Sequence, residues 1–253
     1  MIKISDLSFS YIKDKAILKN ISFDIPDGKC VILLGPNGVG KSTIIKCILG
    51  NLKIQQGNIS FDGKNIKELS AKEKSSLVAF VPQLIKGNDL TVKETITLGR
   101  LPYFRIYPNP KDNEEVNRVI KQFHLEEIED RQTNEISGGE RQKVAIARAL
   151  VQGAKTILFD EPTSNLDIKA QLEVVDVLKQ IIQTGENSLL ISMHDINLAL
   201  SLGDLFVFLK DESIYQICTK EEITEEILSE VYQTNIKFIE KNRRKIVIYE
   251  NIR

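Results

Sequence analysis

Gly35-Pro-Asn-Gly-Val-Gly-Lys-Ser-Thr43 fits the pattern G-x-x-x-x-G-K-[ST], a loop whose backbone cradles phosphate groups. The residues before it, Cys30-Val-Ile-Leu-Leu34, form a short apolar run that predicts a buried strand. The residues after its lysine, Ser42–Leu49, predict a helix that ends at Gly50. A strand, a glycine-rich loop and a helix in this order predict an α/β fold built around a phosphate site.

The residue types inside this loop suit a bound phosphate chain. Gly38 and Gly40 allow the backbone to curl so that its N–H groups point at the phosphates, and the helix N-terminus adds partial positive charge. Lys41 would reach the β- and γ-phosphates, and the Ser42 hydroxyl would ligate Mg²⁺. The alternative is a glycine-rich strand-to-helix turn that binds nothing, and the Lys-Ser pair with both flanks in place argues against it.

The overall composition excludes several classes of protein. The chain has 253 residues, of which 42% are hydrophobic, so it can hold one large α/β domain or two small ones. Its 34 basic and 35 acidic residues give a net charge of −1, which favours neither nucleic acid nor an anionic membrane as the main partner. Cys30, Cys47 and Cys218 are odd in number and far apart, so we expect buried thiols in a reducing compartment. Met1–Ser10 does not resemble a signal peptide, and no run approaches 18 apolar residues.

The N-terminal part of the chain is predicted to be rich in strands. Ile2–Phe9 and Ile21–Ile25 are strand candidates, with Tyr11 just after the first of them. Beyond the phosphate loop, Gly57–Gly63 predicts a strand that closes at Asp-Gly, and Val78–Val81 predicts another short one.

Residues 84–135 interrupt this strand-and-helix alternation and are predicted to be helical. Three prolines break the pattern near the middle: Pro102, Pro108 and Pro110. After them, Asp112 and Glu115 predict a capping box that opens an amphipathic helix. We therefore expect an inserted helical subdomain.

Ser137-Gly-Gly-Glu140 predicts a second helix start. Ser137 and Glu140 form an S-x-x-E capping box, and Arg141–Leu150 continues as a helix. Its N–H groups, two glycines and serine hydroxyl suit an anion. An ordinary capped helix is the alternative, because such boxes are common.

Two acidic residues follow the next apolar run. Lys155–Phe159 predicts a buried strand, and Asp160 with Glu161 stands at its carboxyl end, where ligands bind in open α/β sheets. Asp160 would hold the Mg²⁺ shell, and Glu161 would orient or deprotonate the attacking water. A solvated acidic turn is the alternative, but paired carboxylates repel each other unless a cation is present.

One of the two histidines is a candidate for the same sheet edge. Ile168–Gln183 predicts a helix, Ser188–Ser192 predicts a core strand, and His194 follows that strand. An imidazole there could donate to a γ-phosphate, whereas the alternative is a histidine that merely starts a helix. His124 lies near the end of a helix with a polar face, and we interpret it as structural.

The C-terminal part of the chain predicts two hairpins around a helix. Leu205–Leu209 and Ile214–Cys218 form the first hairpin, and a capped helix follows Thr224. Ile236–Tyr249 forms the second hairpin, with a basic turn at Lys241–Lys245 that is more typical of a solvated turn than of a nucleic-acid or lipid site.

Taken in order, these motifs resemble the ATP-binding subunit of an ABC transporter over nearly the whole chain. The matching segments are the Walker A loop Gly35–Thr43, the Q-loop Gln83, the signature motif Ser137–Gln142, the Walker B end Phe159–Glu161, the D-loop Ser164–Asp167 and the switch histidine His194. Two departures are mild: Ile136 stands where leucine is usual, and Lys210–Ser213 lacks the usual glycine of its turn.

This resemblance implies the roles of individual residues. It places the following around ATP: Tyr11 on the adenine, then Gly35, Pro36, Asn37, Gly38, Val39, Gly40, Lys41, Ser42, Thr43, Ser137, Gly138, Gly139, Glu140 and Asp167. It implies catalytic roles for Lys41, Gln83, Glu161 and His194. It implies that Ser42, Gln83 and Asp160 ligate Mg²⁺.

The resemblance also implies a fold and an assembly. The fold is an α/β P-loop NTPase of the ABC ATPase type, with a RecA-like core, an N-terminal antiparallel β subdomain and an inserted α-helical subdomain. One such domain would cover 1–253, with the helical subdomain at about 84–150 and a C-terminal hairpin extension at 219–253. Two copies would meet head to tail, each ATP lying between one copy's Walker A loop and its partner's Ser137-Gly-Gly.

The implied function is ATP hydrolysis that energises an importer. Leu90–Pro102 and Thr224–Tyr232 are similar to segments of the iron-siderophore, haem and cobalamin importers, which work with a membrane permease and, indirectly, a substrate-binding protein. We expect this chain on the cytoplasmic face of the cell membrane, held there by the permease, with no nucleic-acid partner. The alternatives are the motor of a transporter for another substrate and an ABC ATPase without a transport role.

Overall fold

A computed structural model describes residues 1–12, 15–104, 109–241 and 244–250. It divides the chain into two compact units, one formed by residues 1–68 with 190–253 and the other by residues 69–189. Pro108 of the proline cluster and residues 242–243 of the basic turn lie outside the described residues.

The strands, numbered in chain order, are β1 Ile2–Ile12, β2 Lys15–Ile25, β3 Cys30–Leu34, β4 Gln56–Phe61, β5 Lys64–Asn65, β6 Val78–Val81, β7 Thr156–Asp160, β8 Ser188–Ser192, β9 Leu205–Lys210, β10 Ser213–Thr219, β11 Asn235–Lys241 and β12 Arg244–Glu250. The α-helices are α1 Lys41–Ile48, α2 Ala71–Leu77, α3 Val92–Thr97, α4 Pro110–Gln122, α5 Gly138–Val151, α6 Ile168–Thr184, α7 Ile196–Leu200 and α8 Glu225–Tyr232. Strand β8 crosses the boundary between the units, which falls after Leu189.

An antiparallel sheet with the strand order β2-β1-β4-β5 lies in the first unit. Strand β1 buries Ile2 and Ile4 and then Leu7 and Phe9, so its apolar alternation shifts by one residue in the middle. Asp6 absorbs this shift with a φ angle of 50°, and the register with β2 and β4 is irregular at the same place. The bulge keeps both halves of the strand facing the core.

The first unit also carries a second sheet, in which the order is β10-β9-β3-β8. Strands β3 and β9 pair in parallel, and β9 pairs with β10 as an antiparallel hairpin. Every residue of β3 is buried, as expected for a parallel strand covered on both faces. The phosphate loop leaves the carboxyl end of this strand.

In the second unit the order is β8-β7-β6, with β6 and β7 paired in parallel. Helices α3, α4 and α5 lie in the chain between these two neighbouring strands, which is the inserted helical segment that the sequence predicts. The predicted α/β class, with an antiparallel β part and an inserted helical part, is confirmed.

Helix α4 begins at a different residue from the one predicted. Its N-cap is Asn109, with Pro110 in the first turn, and the residue that closes the capping box is Asp112 rather than Glu115. Proline fits the first turn because its missing N–H has no partner there in any helix. Asp112 is fully buried and accepts from Arg100 Nε at 2.9 Å, so tertiary contacts decide where the helix begins.

Tyr11 lies within β1, which extends three residues further than the predicted strand, rather than just after it. The three cysteines are free and buried, as expected. Burial raises the pKa of the Cys47 thiol to about 11, which keeps it unreactive at neutral pH. Within the described residues, no helix is long and apolar enough to cross a membrane.

Candidate functional site

Helix α1 in the first unit begins without the usual side-chain cap. Its N-cap residue is Gly40, with a φ angle of 109°, and glycine has no side chain that could cap the first turn. The first turn also lacks an acidic residue. The positive end of the helix dipole at this start therefore favours an anion.

Lys41 is held inside the loop that it follows. Its side chain is buried, with 5% of the residue exposed, and Nζ donates to the carbonyls of Gly35 at 2.8 Å and Pro36 at 3.2 Å. The loop therefore fixes the ammonium group in a pocket of backbone oxygens. A phosphate oxygen is a stronger acceptor than either carbonyl, because the hydrogen bond it accepts is charge-assisted on both sides.

Tyr11 presents an exposed ring beside α1. Its hydroxyl lies 3.4 Å from the Thr43 hydroxyl, and its ring packs edge-on against Phe9, with centroids 4.9 Å apart. More than half of the residue, 55%, is exposed. A rigid aromatic ring with an open face is suited to stacking against a flat heterocycle.

The acidic pair lies at the carboxyl end of β7 in the second unit. Asp160 is the last residue of that strand and is buried, whereas Glu161 is half-buried. Glu161 has a φ angle of 47°, a conformation that costs free energy in a residue other than glycine. Gln83 donates from Nε2 to Glu161 Oε2 at 2.8 Å, so the structure brings these two predicted catalytic residues together.

The turn that follows Glu161 is fixed by its own hydrogen bonds. Ser164 donates to the Glu161 carbonyl from both its backbone N–H and its hydroxyl. Asp167 caps α6 by accepting from the Ala170 N–H at 2.8 Å and remains exposed. Asp167 is therefore a helix cap first, and nucleotide contact by this residue stays a prediction.

Helix α5 begins at the predicted capping box. The Glu140 N–H donates to Ser137 Oγ, while Glu140 Oε2 accepts from the Ser137 N–H at 2.8 Å and the hydroxyl at 2.7 Å. The Ser137 hydroxyl, followed by its backbone N–H, holds the pKa of the Glu140 carboxyl below its usual range. Gly139 packs so closely on α6 that an added Cβ would lie 2.7 Å from Ala170 Cβ.

His194 follows β8 in the first unit and is exposed. The residue before it is tied to the phosphate-loop strand, because the Met193 N–H donates to the Leu33 carbonyl at 3.1 Å. The residues after it form the five-residue helix α7, which Asp195 caps. No local pattern could have indicated Asn197 of this helix, because its hydrogen-bond partner lies 50 residues further along the chain.

The predicted site residues are divided between the two units. Tyr11, the phosphate loop and His194 belong to the first unit, and Gln83, Asp160, Glu161, the Ser137 box and Asp167 belong to the second. Within the described ranges, no group of three or more His, Cys, Asp or Glu side chains could hold a metal ion. The predicted Mg²⁺ ligands are of another kind, since they include the Ser42 hydroxyl and the Gln83 amide.

Comparison with known proteins gives a consistent family. Residues 18–164 match the family described as ABC transporter. An uncharacterized ABC transporter ATP-binding protein of Methanocaldococcus jannaschii is 43% identical over 232 residues, covering 92% of this chain and 91% of the relative. A probable iron chelatin transport ATP-binding protein of Helicobacter pylori is 34% identical over 254 residues, covering 98% of this chain and 99% of the relative.

A solved structure is also similar. It is a dimeric ATP-binding cassette in a post-hydrolysis state, bound to ADP and Pi, with a TM-score of 0.77 and 27% sequence identity. The likeness covers 88% of this chain and all of the other one.

Proposed function

This chain belongs to the ATP-binding proteins of the ABC transporter family, and from that premise we propose that it powers an importer of an iron chelate of the siderophore type. It is an ATPase. The observation that carries the nucleotide-dependent part of the proposal is the phosphate loop: a helix start without an N-cap side chain, next to a buried lysine that backbone carbonyls hold in place.

We assign each residue of the proposed site one role. Lys41 neutralises charge that develops on the β- and γ-phosphates, and the α1 N-terminus binds them through backbone N–H groups. Tyr11 stacks on the adenine. Glu161 orients or deprotonates the attacking water, and Gln83 fixes the orientation of that carboxylate through its 2.8 Å hydrogen bond. His194 donates to the γ-phosphate.

Mg²⁺ fits the donor types of this site. The Ser42 hydroxyl, the Gln83 amide oxygen and the Asp160 carboxylate are hard oxygen ligands, which Mg²⁺ prefers together with water and phosphate oxygens. The ion, when bound, neutralises charge on the phosphate oxygens. Asp160 supplies a buried carboxylate at the end of a rigid strand, which is a position suited to orienting one ligand.

Two copies of the chain would complete each ATP site. Ser137 and Gly138 are exposed at the start of α5, so they are available to a second molecule. The solved cassette that resembles this chain is dimeric and holds ADP and Pi. We propose that each ATP contacts the phosphate loop of one copy and the Ser137 helix start of its partner.

The relatives favour an iron chelate over haem or cobalamin as the cargo. The relative from Helicobacter pylori covers nearly this whole chain and is named for iron chelatin transport. A Bacillus subtilis relative named for import of iron(3+)-hydroxamate is 32% identical over 230 residues. The permease would hold the ATPase at the cytoplasmic face of the membrane, and a substrate-binding protein would deliver the cargo to the permease.

The first test is the substitution Glu161→Gln. It removes the base but preserves the side-chain shape, so ATP binding should persist while turnover falls about 100-fold or more. Fluorescent-nucleotide titration and phosphate release measure the two quantities. Glu173→Gln, at a half-buried glutamate of α6 that pairs with Lys143, is the matched control and should turn over within about twofold of the unaltered chain. Near-normal turnover by Glu161→Gln would remove this residue from its proposed role.

The second test addresses the cargo. Cells that lack this chain are complemented with either the unaltered chain or Glu161→Gln, and uptake of radiolabelled ferric hydroxamate, haem and cobalamin is measured. Only ferric hydroxamate uptake should be restored, and only by the unaltered chain. Restored uptake of another cargo would reassign the substrate. In a separate measurement, the tagged chain is purified from gently extracted membranes, and the absence of a multi-span permease among the copurifying proteins would contradict the transport role.

A further inference from the structure

The C-terminal hairpin contacts the segment that carries His194. Strand β12 pairs with β11 in a two-stranded sheet, so the backbone groups along its other edge need partners outside that sheet. Asn197 covers that edge at Val247: its Nδ2 donates to the Val247 carbonyl at 3.1 Å, and its Oδ1 accepts from the Val247 N–H at 2.8 Å. One amide side chain therefore pairs with the backbone as a neighbouring strand would.

The segment between β8 and α7 is fixed at its start by strand β8. Met193 is tied to Leu33 at the end of β8, and His194 and Asp195 follow. Helix α7 has five residues, and a helix of this length has little stability of its own. Burial of Ile196, Ala199 and Leu200 holds α7 against the core, but apolar contacts are non-directional and define its orientation less sharply than hydrogen bonds do. The paired hydrogen bonds of Asn197 are directional and define it more sharply.

Other C-terminal side chains reach the same region. The phenol oxygen of Tyr232 is buried beside the Gly35 backbone, and it makes no hydrogen bond of ordinary geometry with any residue that the structure describes. Burial raises the pKa of Tyr232 and also that of Tyr249, and the charge of Asp195 contributes to both. Asp195, the residue next to His194, is therefore close enough to side chains of α8 and β12 to affect their titration.

We propose that Asn197 is a positioning residue for ATP hydrolysis: by pairing with Val247 it lets the C-terminal hairpin set the direction of His194. The proposal rests on the role assigned to His194 above. The imidazole must meet a γ-phosphate within hydrogen-bond distance, so a small rotation of α7 would misplace it. A displacement of about 1 Å at a catalytic group can cost about 100-fold in rate.

A double-mutant cycle on the full chain tests this. His194→Ala, Asn197→Ala and the double variant are compared for kcat and KM of ATP hydrolysis. Asn197→Ala should lower kcat about tenfold with KM within about twofold, and it should have no further effect once His194 is alanine. Asn187→Ala is the matched control, because it removes an equivalent amide bond to the Ala154 carbonyl (2.8 Å), and it should leave kcat unchanged.

The outcomes separate the two proposals. If His194→Ala is slow but Asn197→Ala has normal kcat, or lowers kcat equally in both backgrounds, the positioning role of Asn197 is overturned while the role of His194 stands. If His194→Ala turns over normally, the role of His194 is wrong and the route through Asn197 falls with it.

Discussion

Helices α1 and α5 both have glycine at their starts, and their N-termini are completed in opposite ways. Helix α1 begins at Gly40 with no side-chain cap and no acid in its first turn. Helix α5 begins at Ser137 with a full capping box, so the Glu140 carboxylate already occupies part of its positive end. The start of α1 has neither a capping side chain at its N-cap nor an acid in its first turn, so its positive end favours an added anion. At the start of α5, an incoming anion meets an existing carboxylate.

This contrast indicates which of the two helix starts is suited to be the primary phosphate site. The motif Ser137–Glu140 alone suggested a second anion site of similar kind, but its donors are partly satisfied within the chain. We therefore expect α1 to bind nucleotide in a single chain and α5 to contribute only in an assembled dimer, through the exposed Ser137 and Gly138.

The largest expected effect is at the uncapped helix. Lys41→Ala removes the buried ammonium group that would meet the phosphates, and ATP turnover should fall at least about 100-fold. Lys46→Ala, at an exposed lysine in the last turn of the same helix, is the matched control and should stay within about twofold. Phosphate release by both variants measures this, and equal activities would refute the assignment of the phosphate site to α1.

The second prediction compares the stability cost of adding a side chain at the two helix starts. Gly40→Ala places a side chain at a φ angle of 109° with its Cβ 2.6 Å from a methyl carbon of buried Leu18, and should cost about 1–3 kcal/mol of stability. Gly138→Ala meets only Leu166 at 3.6 Å, so its stability should be unchanged or rise by up to about 1 kcal/mol. Thermal unfolding measures both.

The effect of Gly138→Ala on ATP turnover should differ from its effect on stability. Gly138→Ala should lower ATP turnover although it folds well, because an added methyl group would crowd the phosphate chain held by the partner copy. Full turnover by Gly138→Ala would show that the start of α5 does not belong to an ATP site.

The smallest effect is the pH dependence of the capped helix. The pKa of Glu140 is lowered in the folded chain, so its contribution to stability is present above the unfolded pKa of about 4.3 and is lost as the pH falls through the folded pKa. Glu140→Gln should therefore lower the free energy of unfolding at pH 7, by less than about 1 kcal/mol because the group is partly exposed. The loss should be smaller still near pH 3.5, and thermal unfolding at the two pH values measures both. The exposed Glu186→Gln variant is the control. An equal loss at both pH values would show that the carboxylate charge has no part in the cap.

Local patterns predicted most of the elements correctly, because their signals lie within a few neighbouring residues. The buried strands around Cys30–Leu34 and Thr156–Asp160 and the box at Ser137 were evident from short apolar runs and capping residues. The prediction failed at α4, where Asp112 with Glu115 looked like a capping box. In the structure Asp112, which forms a buried contact with Arg100, is the residue that closes the capping box and not the one that opens it.

The phosphate-loop motif, the order of the motifs and the residue types proposed to carry the chemistry can all be recognised from the amino-acid sequence, because each depends on short spacings along one stretch of chain. Only the tertiary structure decided how those residues are held. Gln83 meets Glu161 across 78 positions and Asn197 meets Val247 across 50, and no local pattern reports such pairs. Hydrogen bonds between distant residues form only after the strands and helices have packed, since packing alone brings their donors and acceptors within about 3 Å.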